Sequence, residues 1–212
     1  MSYPEMVDDL LHFLDSQNLE SAVLVGHSMG GKVAQAMALL HPHRVSGLVV
    51  IDIAPVTYNV ENDGGWRAVC QILNGLEDLQ DLRAFKSKRE VDIALRKVGV
   101  DDPALRAFVL TNVETVRSDS GVSSLEWKIN LSSILNQIDS LAGFLENKDC
   151  QYLGDTFIIS GGASRFVRVP HMSTISNYFP NHLLTTVRGV GHWVHAEAPD
   201  DTLALLKRYL DR

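Results

Sequence analysis

A serine held between two glycines is the first residue whose surroundings predict chemistry. Ser28 stands in Gly26-His27-Ser28-Met29-Gly30, directly after the apolar run Val23–Val25 and before a helical stretch. A G-x-S-x-G pattern between a strand and a helix is typical of a nucleophile elbow, in which a strained turn lifts the serine Oγ out of the sheet. We expect this turn to need glycine at Gly26 and Gly30, where a Cβ would have no room.

A serine hydroxyl needs a base to become nucleophilic near neutral pH, and His192 is the candidate among the eight histidines. It ends Gly189-Val190-Gly191-His192, a loop after the last predicted strand whose glycines let it fold back over the elbow. Met29 follows the serine at a helix N-terminus, so its backbone N–H is the predicted donor to an oxyanion. His195 could pair with His192 at a metal, but the sequence has no H-E-x-x-H pattern or cysteine cluster, and we predict no metal site.

The third group required is a carboxylate that orients His192, and Asp52 is the preferred candidate. It ends the strand that follows the elbow helix, and adjacent parallel strands lie about 4.8 Å apart, so its side chain can reach the same sheet edge as Ser28. The turn 161–166, after the next strand, contains no acid. The other acidic residues that remain open are Asp155, Glu197 and Asp200.

The composition excludes several classes of protein. The chain has 212 residues and a net charge of −7, without the clustered Lys and Arg that bind nucleic-acid phosphates. Cys70 and Cys150 are far apart and have no metal or redox spacing, which favours a reducing compartment. No apolar run is long enough to span a membrane, and acidic residues stand where a signal peptide would be positive. We therefore expect a soluble cytoplasmic protein that does not bind nucleic acid.

The remaining sequence supplies the elements that must position these residues. Residues 3–17 have the spacing of a helix with Ser2 as its N-cap. Short apolar runs at 48–51, 156–160 and 183–187 alternate with helical segments, which predicts an α/β fold with a parallel sheet covered on both faces. The last helix, from about Asp200 to Leu210, is predicted to bury Leu203, Leu206 and Leu210.

The segment between the two parts of the predicted sheet differs from them. We divide the chain into residues 1–54 with the elbow, an inserted helical cap over 55–153, and residues 154–212 with His192. Within the cap, Leu105, Val109 and Val113 have helical spacing, and the turn-rich stretch Ser118–Gly121 marks a joint.

Several motifs together resemble the α/β-hydrolase superfamily, and within it the small YbfF-type esterases and their eukaryotic abhydrolase relatives. The resemblance covers essentially the whole chain. The motifs that carry it are Tyr3-Pro4-x-Met6, Gly26-His27-Ser28-Met29-Gly30-Gly31-Lys32, Asp52-Ile53-Ala54-Pro55-Val56, Glu126-Trp127-Lys128-Ile129-Asn130 and Gly191-His192-Trp193-Val194-His195-Ala196-Glu197.

The resemblance implies a small-molecule substrate: short- to medium-chain carboxylic esters or acyl thioesters would be hydrolysed by a Ser28-His192-Asp52 triad, without a cofactor. It also implies that the cap, including Trp127, lines an acyl pocket. Family members carry further strands before the elbow, with a His-Gly loop that supplies a second oxyanion donor, whereas no such segment precedes Ser28 here. We therefore expect a truncated hydrolase fold whose exposed sheet edge could pair with another copy.

Two other functions remain open at this stage. A C–C hydrolase or lyase can use the same triad, because one fold serves many reactions. A non-catalytic, hydrolase-like fragment is the alternative outside enzymes.

Overall fold

The computed structural model describes residues 2–117, 123–145 and 149–211. The helices in these ranges are α1 Tyr3–Ser16, α2 Met29–Leu40, α3 Gly64–Glu77, α4 Lys88–Lys97, α5 Pro103–Leu110, α6 Leu131–Leu135, α7 Ile138–Ala142, α8 Met172–Tyr178, α9 Val194–Glu197 and α10 Pro199–Leu210. The strands are β1 Ala22–His27, β2 Val45–Ile51, β3 Val113–Arg117, β4 Ser123–Trp127, β5 Thr156–Gly161 and β6 His182–Val187. The chain forms two compact units: Met1–Trp66 with Asp139–Arg212, and Arg67–Ile138.

The first unit is built on a parallel sheet with the strand order β1-β2-β5-β6. Every residue of β5 is buried, as is every residue of β2 except Ser46. Such continuous burial is what the uninterrupted apolar runs predicted for strands covered on both faces. The α/β class with a parallel sheet flanked by helices is thereby confirmed.

The two outer strands depart from that expectation. Helix α2 packs against β1, where Leu24 is buried, but Val23 and Val25 on the opposite face are 41% and 48% exposed. In β6, Leu183 is 48% exposed. The prediction of a sheet covered on both faces is correct for the central strands and wrong for β1 and β6.

The strand register sets the position of the candidate site. His27 pairs with Ile51 across β1 and β2, and Ile51 pairs with Ile159 across β2 and β5. Because parallel strands end together at one edge, Ser28 and Asp52 both leave the sheet at its C-terminal edge.

The first and last helices give different outcomes. As predicted, Ser2 caps α1: its Oγ accepts the N–H of Glu5, whose carboxylate accepts the N–H of Ser2. The predicted inner face of α10 is correct for Leu206, which packs against the core, and wrong for Leu203 and Leu210, which are 50% and 57% exposed. The residues of α10 that face the core are Thr202, Leu205, Leu206 and Tyr209.

The second unit combines helices with an antiparallel hairpin of β3 and β4 around its own hydrophobic core. The hairpin corrects the prediction that Val113 continues a helix with Leu105 and Val109. Helix α5 ends at Leu110, and Val113 begins β3. Val109 and Val113 are both buried in the same core, so the same spacing fits either structure. The predicted joint at 118–121 lies outside the described residues.

Candidate active site

Ser28 occupies a strained turn between β1 and α2. Its φ of +52° lies in the region that residues with a Cβ rarely adopt, as expected of a nucleophile elbow. A Cβ at Gly26 would lie 2.4 Å from the carbonyl oxygen of Gly30, so glycine is required there. The same expectation for Gly30 is wrong, because the space around it is open. The second required glycine is Gly31, where a Cβ would lie 2.7 Å from Cγ2 of Ile53.

Three side chains from distant parts of the sequence meet at this turn. The Oγ of Ser28 lies 3.0 Å from Nε2 of His192, and Nδ1 of His192 lies 2.8 Å from Oδ2 of Asp52. If His192 is protonated at Nδ1, that nitrogen donates to Asp52 and Nε2 can accept the hydroxyl proton of Ser28. This tautomer leaves the imidazole ready to act as a general base towards the serine.

Asp52 is fully buried and held by several donors. Besides His192, the backbone N–H of Gly161 donates to its Oδ1 at 2.9 Å, and the hydroxyl of Ser164 donates to its Oδ2. A buried carboxylate is costly unless its oxygens are hydrogen-bonded, and this set of donors meets that need. Ser164 and Gly161 belong to the turn 161–166, which contains no acid. This turn therefore supplies hydrogen-bond donors to the carboxylate of Asp52.

The rival acids lie elsewhere. The backbone carbonyl of Asp155 accepts the N–H of Leu48 at the N-terminal end of β5, the opposite edge of the sheet. The carboxylate of Glu197 accepts the N–H groups of Gly191 and Trp193. Asp200 is exposed in the first turn of α10. Of these candidates, Asp52 is the one hydrogen-bonded to His192.

His27 supports the loop that carries His192. Its Nε2 lies 2.9 Å from the carbonyl oxygen of His192, so that nitrogen must carry the donated proton. Burial lowers the pKa of His27 to about 4, because the charged imidazolium is poorly solvated there. A neutral His27 therefore donates a hydrogen bond to the backbone of His192, a role that the sequence analysis did not predict.

The loop of His192 also needs a close approach to β5. A Cβ at Gly161 would lie 2.1 Å from the carbonyl oxygen of Gly191, so the strand end must be glycine. On the other side, the ring of Phe166 lies 4.1 Å from the ring of His192, measured between centroids. Sequence reasoning missed Ser164 and Phe166, although a hydroxyl in a turn without an acid was a usable signal for Ser164.

Met29 is the first residue of α2. The first N–H groups of a helix have no partner within it and lie at the positive end of its dipole. The N–H of Met29 thus stands next to Ser28, where negative charge would develop on an attacked carbonyl oxygen.

Trp127 belongs to the second unit. Its Nε1–H donates to the carbonyl oxygen of Leu79 at 2.8 Å, and its ring packs against the core of that unit. These contacts account for a structural role, and its predicted place in an acyl pocket stays a prediction.

Residues 2–117, 123–145 and 149–211 contain no group of three or more His, Cys, Asp or Glu side chains that could hold a metal ion. His195 packs its ring against that of His27, with centroids 4.7 Å apart. None of the helices in these ranges is long and apolar enough to cross a membrane.

The sequence is similar to those of known proteins. Residues 1–199 match the family described as alpha/beta hydrolase fold. The sequence is 32% identical over 210 residues to an sn-1-specific diacylglycerol lipase of Danio rerio, covering 99% of this chain and 63% of that protein. It is 31% identical over 211 residues to the esterase YbfF of Escherichia coli, covering 100% of this chain and 76% of that protein. The chain therefore spans less than two thirds of the length of the Danio rerio relative.

A solved structure of similar sequence gives the same result for the fold. The structure described as a marine microorganism esterase superposes with a TM-score of 0.90 at 33% identity. The match covers 98% of this chain and 77% of that one.

Proposed function

The chain belongs to the α/β-hydrolase family, and on that basis we propose that it is a serine hydrolase that cleaves carboxylic esters or acyl thioesters. The observation that carries the proposal is the continuous chain of hydrogen bonds from Ser28 through His192 to Asp52, at 3.0 Å and 2.8 Å. The names of similar proteins, a diacylglycerol lipase and esterases, support an ester as the substrate.

In the proposed reaction, His192 Nε2 takes the proton of Ser28 as Oγ attacks the acyl carbonyl carbon. Asp52 holds the Nδ1–H of His192 and stabilises the imidazolium that forms. The N–H of Met29 donates to the oxyanion, a type of contact worth about 3 kcal/mol in the transition state. His192 then returns the proton to the leaving alcohol or thiol as its bond to the acyl carbon breaks.

The acyl-enzyme is hydrolysed by the same groups. His192 removes a proton from water as the water oxygen attacks the acyl carbon, and it gives this proton to Ser28 Oγ as the ester bond to the serine breaks. The products are the free acid and the original enzyme, so the cycle needs neither a metal ion nor a cofactor. We propose short- to medium-chain acyl groups, with Trp127 contributing to the acyl pocket.

A panel of chromogenic esters from acetyl to decanoyl, together with acyl-CoA thioesters, tests the proposal. We expect the chain to turn over members of the panel and Ser28→Ala to abolish this turnover. Equal rates for the two proteins would contradict a serine hydrolase. In parallel, Trp127→Ala should change the preference among chain lengths if Trp127 contacts the acyl group, and should change only stability if it does not.

We also propose that a second copy of the chain pairs with β1. In the described part of the chain β1 is hydrogen-bonded to β2 alone and forms an edge of the sheet, with Val23 and Val25 exposed on one face. An edge strand with exposed apolar side chains is a template for pairing with another chain.

A further inference from the structure

A buried tyrosine links the two loops that hold the proposed acid. Tyr58 is 3% exposed, and its hydroxyl makes two hydrogen bonds to the backbone. It accepts the N–H of Ala54 at 2.9 Å and donates to the carbonyl oxygen of Phe166 at 2.7 Å. Both the donor and acceptor capacity of this single hydroxyl group are thereby used.

Each of the linked segments carries groups that touch the triad. Ala54 follows Asp52 by two residues at the end of β2. Phe166 follows Ser164, whose hydroxyl donates to Asp52, and the ring of Phe166 packs on His192. The Tyr58 hydroxyl therefore fixes the separation between the segment that presents Asp52 and the loop that contacts both Asp52 and His192.

The surroundings of Tyr58 leave it little freedom to move. Its ring packs edge-on against Phe166 and His171, with centroids 5.4 Å and 5.7 Å away. The Nζ of Lys32, itself buried in the elbow helix, lies 4.7 Å from the ring centroid on its face. Burial also raises the pKa of Tyr58, so the hydroxyl keeps the proton that it donates to Phe166.

We propose that Tyr58 is a positioning residue for the reaction, holding Ser164 and Phe166 in register with Asp52 and His192. The inference rests on the proposed function, because it assigns Tyr58 to the same site. It differs from a purely structural role, since the hydroxyl acts on the geometry of the triad and not only on the free energy of unfolding.

The chain contains a closely matched control. Tyr209 is 6% exposed, and its hydroxyl accepts the N–H of Leu48 at 3.0 Å and donates to the carbonyl oxygen of Asp155 at 2.9 Å. These contacts lie at the N-terminal edge of the sheet, away from Ser28. Tyr58→Phe and Tyr209→Phe therefore each remove a buried hydroxyl that joins a backbone N–H to a backbone carbonyl in the same unit, at opposite ends of the strands. They differ in that the N–H of Leu48 also donates directly to the carbonyl oxygen of Asp155.

Steady-state kinetics and thermal unfolding of both variants test the proposal. We expect both to lower the melting temperature, Tyr209→Phe by the smaller amount because the N–H of Leu48 keeps the carbonyl oxygen of Asp155 as its acceptor. Tyr58→Phe should also lower kcat about tenfold, which corresponds to about 1.4 kcal/mol, with KM changed less than twofold. Tyr209→Phe should keep the kcat of the parent chain. Equal kcat values for the two variants, whether both lowered or both unchanged, would overturn the role of Tyr58.

An NMR measurement separates this inference from the proposed function, because it needs no turnover. The proton between Nδ1 of His192 and Asp52 should give a downfield resonance, identified by its loss in His192→Gln. We expect Tyr58→Phe to shift or broaden this resonance and Tyr209→Phe to leave it unchanged. An unchanged resonance in Tyr58→Phe would refute the positioning role, whereas absence of ester turnover in the parent chain would refute the hydrolase proposal.

Discussion

Asp52 orients the proposed base, His192. It is also the member of the triad for which the sequence offered the most alternative residues. Asp52→Asn removes the negative charge but keeps the size of the side chain. We expect kcat to fall by about 10³ to 10⁴, because the amide no longer holds His192 in the productive tautomer. Ester hydrolysis by the purified variant measures this loss, and circular dichroism should show an unchanged fold.

The control for this change is Asp155→Asn. The Asp155 backbone lies at the opposite edge of the sheet, so we expect turnover to stay within a few-fold of the parent value. If Asp155→Asn abolished turnover and Asp52→Asn did not, the assignment of the acid would be wrong.

The hydrogen bond from Ser164 to Asp52 leads to a second prediction. Ser164→Ala removes a hydrogen bond to the buried carboxylate of Asp52, and hydrogen bonds to charged groups contribute about 1.5 to 3 kcal/mol. We expect kcat to drop about 10-fold or more. Ser160→Ala is a matched change, since the Ser160 hydroxyl contacts Thr186 and not Asp52. Similar kcat values for the two variants would show that Ser164 does not support the acid.

The lowered pKa of His27 predicts how the free energy of unfolding depends on pH. Its pKa of about 4 in the folded protein lies below the ordinary value of 6.5, so between these values the unfolded chain binds more protons. The free energy of unfolding should therefore decrease as the pH falls through this window. Urea unfolding at several pH values should show a smaller decrease for His27→Asn, which has no imidazole to titrate.

Other titratable groups face His27, namely His192, His195 and Asp52. They remain in the variant, so the comparison with the parent chain reports mainly on His27. His12→Asn, a change at an exposed position of α1, should leave the pH dependence as it is. A parent-like curve for His27→Asn would contradict a buried, neutral His27.

At the scale of elements, the elbow depends on how closely α2 approaches the sheet. Gly31→Ala would place a Cβ 2.7 Å from Ile53, whereas Gly30→Ala meets open space. We expect Gly31→Ala to lower the free energy of unfolding by about 1 to 3 kcal/mol through overpacking. Gly30→Ala should be neutral or slightly stabilising, since alanine favours helices. Urea denaturation of the two variants measures the difference, and equal effects would refute the close approach at Gly31.

The elements that could be predicted from sequence are those encoded by neighbouring residues. The cap of α1 by Ser2 and the elbow at Ser28 depend on short segments, and the central strands on continuous apolar runs. The hairpin was missed because Val113 satisfies a helical spacing as well as a buried strand position. The inner face of α10 was missed because the contacts of Tyr209 with Leu48 and Asp155 join residues far apart in sequence.

The same distinction explains the candidate site. Ser28 and His192 stand in local patterns of glycine and apolar residues, and Asp52 ends a recognisable strand. The backbone donor Gly161 could not be predicted, because its N–H reaches Asp52 only through the register of β2 with β5. Ser164 could have been found from its hydroxyl in a turn without an acid, but its contact with Asp52 depends on the same register. Likewise, His27 contacts His192 only once the last loop has folded back over the elbow.

At the scale of the whole molecule, the exposed edge at β1 predicts association between copies. We expect the weight-average mass in sedimentation equilibrium to rise with protein concentration. Val23→Lys places a charge on the exposed face of β1 and should reduce this association. Leu184→Lys is the corresponding change on the other outer strand, β6, and a larger effect of this variant than of Val23→Lys would contradict pairing through β1. A concentration-independent monomer mass for the parent chain would refute pairing through β1.

The proposed serine hydrolase activity requires that Oγ of Ser28 form a covalent bond to the group it attacks. A p-nitrophenyl alkylphosphonate tests this directly, because attack by Oγ forms a bond to phosphorus and releases p-nitrophenolate. We predict one adduct per chain, mapped to Ser28 by mass spectrometry of the digested protein, and no adduct in Ser28→Ala. An unmodified Ser28, or equal labelling of the parent chain and Ser28→Ala, would contradict a serine nucleophile.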